Sequence, residues 1–284
     1  MAQFLRHYLL AVQFFTRIPV TGGLAAWVGY SPAMLRASAA HFPGVGWLVG
    51  TVIAAFSALL LWLLPYNGFA PLVVAALGTA LGILLTGAFH EDGLADVADG
   101  LGGSLDRLRA LEIMKDSRVG AFGAIAIVTA LLVKVALVAQ LAALGYGVLC
   151  MGVFSAHVVS RTWPLLLIRL LPHVGDLAGS KSKPLADQIS AGALLAALLW
   201  CVSALLLVLW IQAQTALLAP NHSVFDLAQA VAVALLASAV VFMYLWRWFA
   251  RRLQGFTGDC LGTVQQITEL AFYLGLAIGW PVLA

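Results

Sequence analysis

Long apolar runs alternate with short polar connections along the whole chain, and their lengths predict membrane-spanning helices. About 20 apolar residues in an α-helix cross the hydrocarbon core of a bilayer. We expect about seven such spans, near residues 44–64, 70–89, 119–144, 146–171, 191–218, 227–249 and 261–283. Residues 1–19 have helical apolar spacing but end at Arg17 and Pro19, which favours an interfacial helix. The pattern predicts one all-α, polytopic membrane domain over residues 1–284.

Composition supports this class and excludes an ordinary soluble domain. Of 284 residues, 63% are hydrophobic and 10% are charged. The cysteines Cys150, Cys201 and Cys260 lie in or beside apolar runs without CxxC spacing, which argues against a disulfide framework or a zinc site. The N-terminus lacks the basic, apolar and small-residue pattern of a secretory leader, so we expect no cleaved signal peptide.

Among the connections between spans, only alternate ones carry positive charge, and this predicts the orientation of the chain. Lys and Arg occur in the N-terminal segment and in the loops at 90–118, 172–190 and 247–260. The connections near 65–70, 144–147 and 219–226 contain none. By the positive-inside rule, the N-terminus and the charged loops are cytoplasmic and the C-terminus lies on the opposite side.

The stretch from His90 to Gly123 holds seven of the twelve carboxylates. Asp92, Asp96 and Asp99 recur at i, i+4 and i+7, which places them on one face of an α-helix. Like charges at this spacing repel unless a cation neutralises them. Hard oxygen ligands favour Mg²⁺ or Mn²⁺ over Zn²⁺. The spacing therefore predicts a metal site on a helix that continues the second span out of the membrane.

Basic residues on the same segment provide complementary charge for a phosphate group. Arg107, Arg109, Lys115 and Arg118 follow the aspartates closely. Metal ligands beside phosphate-binding cations suggest phosphoryl transfer. The simpler alternative is a solvated acidic loop between two membrane helices.

Several polar residues elsewhere are candidates for the same site. Asp259 and Glu269 are predicted to complete the metal site, because Glu269 lies inside an apolar span and such residues are usually functional. Gln265 shares a helical face with Glu269. Arg161 lies deep in the fourth span with His157 one turn away, so we expect both to face a cavity. We predict that four residues bind substrate: His90, Arg161, Arg252 and Gln265. His90 is equally compatible with simple helix capping. Lys134, deep in the third span, is expected to pair with a carboxylate instead.

These motifs resemble one family over nearly the full chain. HEDGLADVADG at 90–100, IMKDSRVG at 113–120 and GDCLG at 258–262 are similar to those of cobalamin synthase, the adenosylcobinamide-GDP ribazoletransferase family. FFTRIPV at 14–20 and FPGVG at 42–46 are similar to its N-terminal motifs.

The resemblance implies a Mg²⁺-dependent enzyme of the bacterial inner membrane, with its active site facing the cytoplasm. It would join α-ribazole or its 5′-phosphate to adenosylcobinamide-GDP and release GMP. The ribazole 3′-hydroxyl would attack the phosphorus on the aminopropanol arm, Lys115 and Arg118 would hold phosphates, and Asp99 or Asp116 would accept the proton. The implied partners are the two substrates and the lipid bilayer, with no nucleic acid. A homo-oligomer or an assembly with other corrinoid-pathway enzymes is a further expectation.

Two alternatives remain open at this point. A CDP-alcohol phosphotransferase also carries aspartates on membrane helices, but its signature has Asp-Gly followed by Ala-Arg, whereas here Ala95 is followed by Asp96 and not by Arg. A cation transporter would place acidic residues along a path to both faces, whereas the connections without Lys or Arg offer only Asp226.

Overall fold

The computed structural model describes residues 2–65, 67–175, 188–218 and 223–281, so most of the loop at 172–190 lies outside the described residues. The described chain is helical apart from its connections and one isolated bridge between His173 and Phe256. In chain order the helices are α1 (Ala2–Phe15), α2 (Gly22–Val28), α3 (Pro32–Ser38), α4 (Phe42–Leu63), α5 (Ala70–Thr86), α6 (Phe89–Gly103), α7 (Arg107–Ile113), α8 (Ala121–Ala143), α9 (Tyr146–Leu170), α10 (Ala191–Leu218), α11 (Val224–Arg252) and α12 (Gly258–Gly279).

Seven helices of the described chain form the bundle: α4, α5 and α8 to α12. Within the described ranges, five helical stretches are long and apolar enough to span a bilayer: Pro32–Leu63, Ala121–Ala143, Tyr146–Leu170, Ala191–Thr215 and Val224–Arg252. The sixth is α5, which passes this test only together with α6. Helix α12 is the seventh; it is less apolar, and its polar side chains are buried between other helices. The expected all-α membrane fold with about seven spans is confirmed.

The N-terminal segment forms short helices beside the bundle. Helix α1 has 14 residues, too few to cross the hydrocarbon core, and buries one side through Leu10, Ala11, Val12 and Phe15. It packs against α3 and α4. Phe4 and Leu5, near its first turn, remain about half exposed, as an interfacial helix allows.

A sharp bend separates α5 from α6, where the sequence predicted a continuous helix. Gly87 and Ala88 both have left-handed backbone angles, with φ of 67° and 58°, and the two helix axes meet at 90°. Helix α6 therefore runs across the end of the bundle instead of continuing the span. The left-handed state costs an alanine about 1–2 kcal/mol, so Ala88 gave no sequence signal for the bend.

Helix α12 is the centre of the bundle. It packs against α11, α6, α9 and α8. Gly275 and Gly279 lie directly against the backbone of Ala234 and Ala230 in α11, which small residues permit in membrane helices. Because the chain alternates direction, the first residues of α12 and the end of α5 lie at the same end of the bundle, where α6 crosses.

Candidate functional site

Helices α6 and α12 cross in close backbone contact. A Cβ atom on Gly93 would lie 3.0 Å from Asp259 Cα, and one on Gly262 would lie 3.1 Å from the carbonyl oxygen of His90. Thr263 Oγ1 donates a hydrogen bond to the Gly93 carbonyl oxygen at 3.1 Å. Glycine at both contact points therefore holds α6 against the first turns of α12.

Three carboxylates gather at this crossing, and we call Asp92, Asp96 and Asp259 the acidic patch. Burial and the negative charges of Asp259, Asp92 and Asp99 raise the pKa of Asp96 to about 7. Burial raises the pKa of Asp259 to about 6, with a further increase from Asp92 and an opposing hydrogen bond from Thr257. Asp92 is exposed and Asp96 is half-buried, so the patch is open to solvent. The negative charges of its side chains repel one another, and a bound cation would neutralise that repulsion.

Asp99 lies on the same helix but has a different role. Its Oδ2 accepts a hydrogen bond from the Gly120 amide at 2.7 Å, and its Oδ1 accepts one from the Gly123 amide at 2.8 Å. These amides belong to the N-terminus of α8, where helical N–H groups lack partners and the dipole favours an anion. Asp99 therefore anchors α8 to α6 with both oxygens.

The donor set of the acidic patch fits a hard divalent cation. Carboxylate oxygens are the ligands that Mg²⁺ prefers. Within the described ranges, however, no three His, Cys, Asp or Glu side chains converge closely enough to enclose an ion by themselves. Mg²⁺ commonly uses one or two carboxylates together with waters and substrate phosphates. The acidic patch would thus hold a cation that a phosphate-bearing substrate helps to coordinate.

Glu269, predicted as a further ligand, lies apart from the acidic patch. It follows Asp259 by ten residues on α12, roughly 15 Å along the helix axis. Its Oε1 forms an ion pair with Lys134 Nζ at 2.8 Å, and its Oε2 accepts a hydrogen bond from Gln265 Nε2 at 2.7 Å. Both Glu269 and Gln265 are fully buried. The structure thus gives Lys134 the carboxylate partner that the sequence suggested and does not bring Glu269 to the aspartates.

Arg161 and His90 are also buried inside the bundle. Arg161 Nη1 donates to the His157 carbonyl oxygen and to His157 Nδ1, both at 2.9 Å. Its guanidinium lies 5.7 Å from the centre of the Phe42 ring, and that ring stacks on the imidazole of His90. With 1% and 2% of their surfaces exposed, Arg161 and His90 are shielded from solvent. The cavity expected beside His157 is a void of only about 10 Å³, which Lys134 also lines. The cavity next to His90 is about 20 Å³, room for one water molecule.

The remaining predicted residues lie on the connections beside α6. Arg252 Nη2 donates to the carbonyl oxygens of Leu101 at 3.3 Å and Ser104 at 2.6 Å, and so caps the C-terminus of α6. Lys115 and Arg118 are exposed on the connection between α7 and α8. Arg118 holds Asp116 through two guanidinium nitrogens, and these hydrogen bonds lower the pKa of Asp116 to about 2.

The sequence missed two polar residues at this crossing. Gln266 Nε2 donates to Glu91 Oε1 at 3.1 Å and thereby links α12 to α6. Both residues are buried. The pair Gln265–Gln266 inside an apolar helix was the available signal, because buried amides need partners.

Comparison with known proteins decides the family. The model of the family described as cobalamin-5-phosphate synthase matches residues 7–277. The chain belongs to the cobalamin-5-phosphate synthase family. A protein of Albidiferax ferrireducens named adenosylcobinamide-GDP ribazoletransferase is 68% identical over 98% of this chain and 100% of its own. Equally named proteins of Polaromonas naphthalenivorans and Vibrio cholerae are 60% and 39% identical, over 98% and 96% of this chain and 99% and 95% of theirs.

No solved structure matches the chain. Membership of the cobalamin-5-phosphate synthase family confirms the resemblance inferred from the motifs. It also confirms the assignment as a transferase in cobalamin synthesis. The identity of the metal and the roles of the site residues stay predictions.

Proposed function

We propose that this protein joins α-ribazole, or its 5′-phosphate, to adenosylcobinamide-GDP in a Mg²⁺-dependent reaction that releases GMP. The observation that carries this proposal is the acidic patch at the crossing of α6 and α12, at the same end of the bundle as the exposed cations Lys115 and Arg118. The names of the full-length relatives support the substrates. The family match favours this reaction over the CDP-alcohol phosphotransferase and transporter alternatives.

In this proposal, Asp92, Asp96 and Asp259 would hold the metal together with phosphate oxygens of adenosylcobinamide-GDP. Mg²⁺, when bound, supplies charge neutralisation for the bridging and leaving oxygens. Lys115 and Arg118 lie on an exposed connection and would reach the phosphates from outside. The ribazole 3′-hydroxyl forms the new bond to phosphorus, the bond to GMP breaks, and the hydroxyl proton leaves through the acidic patch.

The contacts in the structure lead us to propose other roles for several residues of the original set. Asp99 would anchor α8 and Arg252 would cap α6, because backbone groups already engage their polar atoms. Asp116 is a weak proton acceptor, since its pKa of about 2 lies far below neutral pH. Buried Arg161, Gln265 and His90 would act on the substrates only through the packing of α6.

GMP release by the purified protein in liposomes tests the proposal. We expect GMP only when adenosylcobinamide-GDP, α-ribazole and Mg²⁺ are all present. Asp92→Asn, Asp96→Asn and Asp259→Asn should each lower kcat by about 100-fold or more, a loss typical of removing a group that stabilises transition-state charge.

Asp106→Asn is the matched control. Asp106 is exposed on the same segment and caps α7, where Asn serves equally well. Unchanged turnover in all three patch variants would refute the metal site. Absence of GMP from correctly folded protein supplied with both substrates would refute the transferase.

A further inference from the structure

A continuous chain of buried polar groups connects the middle of the bundle to the helix that carries the aspartates. It consists of Lys134 in α8, Glu269, Gln265 and Gln266 in α12, and Glu91 in α6, and we call it the relay. Each of its members is at most 7% exposed. It ends at Glu91, whose neighbour on α6 is Asp92 of the acidic patch. The reaction proposed above uses none of these five groups directly.

The hydrogen bonds of the relay have a fixed direction. Gln265 Nε2 donates to Glu269 Oε2 at 2.7 Å and to Ser160 Oγ at 3.0 Å. Gln266 Nε2 donates to Gln265 Oε1 at 3.0 Å and to Glu91 Oε1 at 3.1 Å. All four amide hydrogens are therefore used. Because a carboxylate accepts only, each amide has one orientation, and the relay holds Glu91 in one position.

The buried charges around the relay compensate one another. Lys134 and Arg161 carry positive charge, and Glu269 and Glu91 carry negative charge. His157 is neutral, because its Nδ1 must accept the hydrogen bond from Arg161 and an imidazolium has no acceptor nitrogen. Adding a phosphate or a metal ion would leave one buried charge unbalanced. The cluster is thus suited to hold structure in place and poorly suited to bind a charged ligand.

We propose that Glu269, Gln265 and Gln266 are positioning residues that fix the rotation of α6 through Glu91, so that Asp92 and Asp96 face Asp259. This inference rests on the proposed metal-dependent transfer. Rotation of α6 by one residue position, about 100°, would turn these aspartates away from Asp259. The glycine contacts set the distance between α6 and α12, and the relay sets the rotation of α6 about its own axis.

Two charge-neutral double variants test the proposal. Lys134→Met with Glu269→Gln removes both charges but keeps a carbonyl acceptor for the Gln265 amide. Lys134→Met with Glu269→Leu removes both charges and the acceptor. Mn²⁺ binding is measured by the electron paramagnetic resonance signal of free Mn²⁺, with the protein in nanodiscs and adenosylcobinamide-GDP present, after subtraction of the Mn²⁺ bound by the nucleotide alone. We expect the variant with Glu269→Gln to bind Mn²⁺ as tightly as the unaltered protein does. The variant with Glu269→Leu should bind Mn²⁺ about tenfold more weakly, the loss typical of removing an outer-shell partner.

A second pair on α12 provides an independent test if either double variant fails to fold. Gln266→Met breaks the bond to Glu91 at similar volume and should also weaken Mn²⁺ binding about tenfold. Thr268→Val is its control, because Thr268 Oγ1 bonds only to carbonyls of its own helix, chiefly that of Val264 at 2.6 Å. Equal Mn²⁺ binding by Gln266→Met and Thr268→Val would overturn the relay, as would equal binding by the two double variants. A lack of Mn²⁺ binding by the unaltered protein would instead refute the proposed metal site.

Discussion

At the residue scale, the partners of each aspartate distinguish its role better than its place in the motif does. Asp92, Asp96 and Asp99 were predicted as equivalent ligands because they share one helical face. In the structure, Asp99 accepts hydrogen bonds from two backbone amides, while Asp96 lies near other carboxylates. Helical spacing could predict the shared face. It could not predict the cap, because Gly120 and Gly123 reach Asp99 only through the packing of α8.

The raised pKa values of the acidic patch predict that metal binding depends on pH. A cation must displace the protons that Asp96 and Asp259 retain up to pH values of about 7 and about 6. We expect Mn²⁺ affinity to weaken as pH falls from 8 to 6, by up to about tenfold per pH unit for each proton displaced. Titration of the unaltered protein at several pH values measures this. Asp106→Asn should show the same dependence, and a flat profile would contradict proton competition.

The metal-free protein should show the opposite trend in stability. Because the folded state raises the pKa of Asp96 from 3.8 to about 7, the folded protein binds more protons than the unfolded chain between these values. Its stability therefore falls as pH rises from about 4 through 7, and Mg²⁺ should restore it at the upper end. Thermal unfolding with and without Mg²⁺ at pH 5 and pH 8 provides the comparison. A greater stabilisation by Mg²⁺ at pH 5 than at pH 8 would contradict the assignment.

At the element scale, the position of α6 depends on contacts that the sequence reveals only in part. Most of the spans followed from apolar length, since the bilayer requires about 20 residues in each, although α5 and α12 do not pass that test alone. The 90° bend did not, because it needs Ala88 in a conformation that alanine rarely adopts. Arg252 was predicted to bind substrate because it is basic and lies on a charged loop. The sequence could not predict its hydrogen bonds to the end of α6, because they depend on the packing of α11 beside α6.

The cap on α8 yields a test that separates anchoring from metal binding. Asn at position 99 has one carbonyl oxygen and cannot accept both the Gly120 and the Gly123 amides as the carboxylate does. We expect Asp99→Asn to lower the free energy of unfolding by about 1–2 kcal/mol. Its Mn²⁺ affinity should remain well above that of Asp92→Asn. Thermal unfolding and Mn²⁺ titration measure the two effects, and a loss of Mn²⁺ binding equal to that of Asp92→Asn would make Asp99 a ligand.

The crossing of α6 and α12 predicts that Gly93→Ala impairs the site without a change of charge. The added Cβ would lie 3.0 Å from Asp259 Cα and 2.8 Å from its carbonyl oxygen, so the two helices must separate. We expect weaker Mn²⁺ binding together with a lower unfolding temperature. Gly23→Ala is the control, because a Cβ at Gly23 meets no atom within 4 Å. Equal Mn²⁺ binding by the two variants would show that the acidic patch tolerates a wider crossing.

At the scale of the whole molecule, the alternation of charged and uncharged connections agrees with the antiparallel order of the spans. One end of the bundle carries the acidic patch together with four basic residues: Lys115, Arg118, Arg251 and Arg252. The connections at the other end carry no Lys or Arg in the sequence. Sequence length and charge could predict this arrangement because both follow from the bilayer itself. The expected oligomer or pathway assembly has no such basis and stays a prediction.

This asymmetry predicts that the charged end faces the cytoplasm, and single cysteines can test it. Ser117→Cys places a thiol at the charged end, and Gly68→Cys places one in the exposed connection between α4 and α5 at the other end. A membrane-impermeant maleimide should label Cys at 68 in intact spheroplasts and Cys at 117 only in inverted vesicles. The native protein is the control, because Cys201 and Cys260 are buried and Cys150 lies within α9. The reverse pattern would place the acidic patch outside the cell, away from the cytoplasmic supply of nucleotide-activated substrate that the proposed reaction requires.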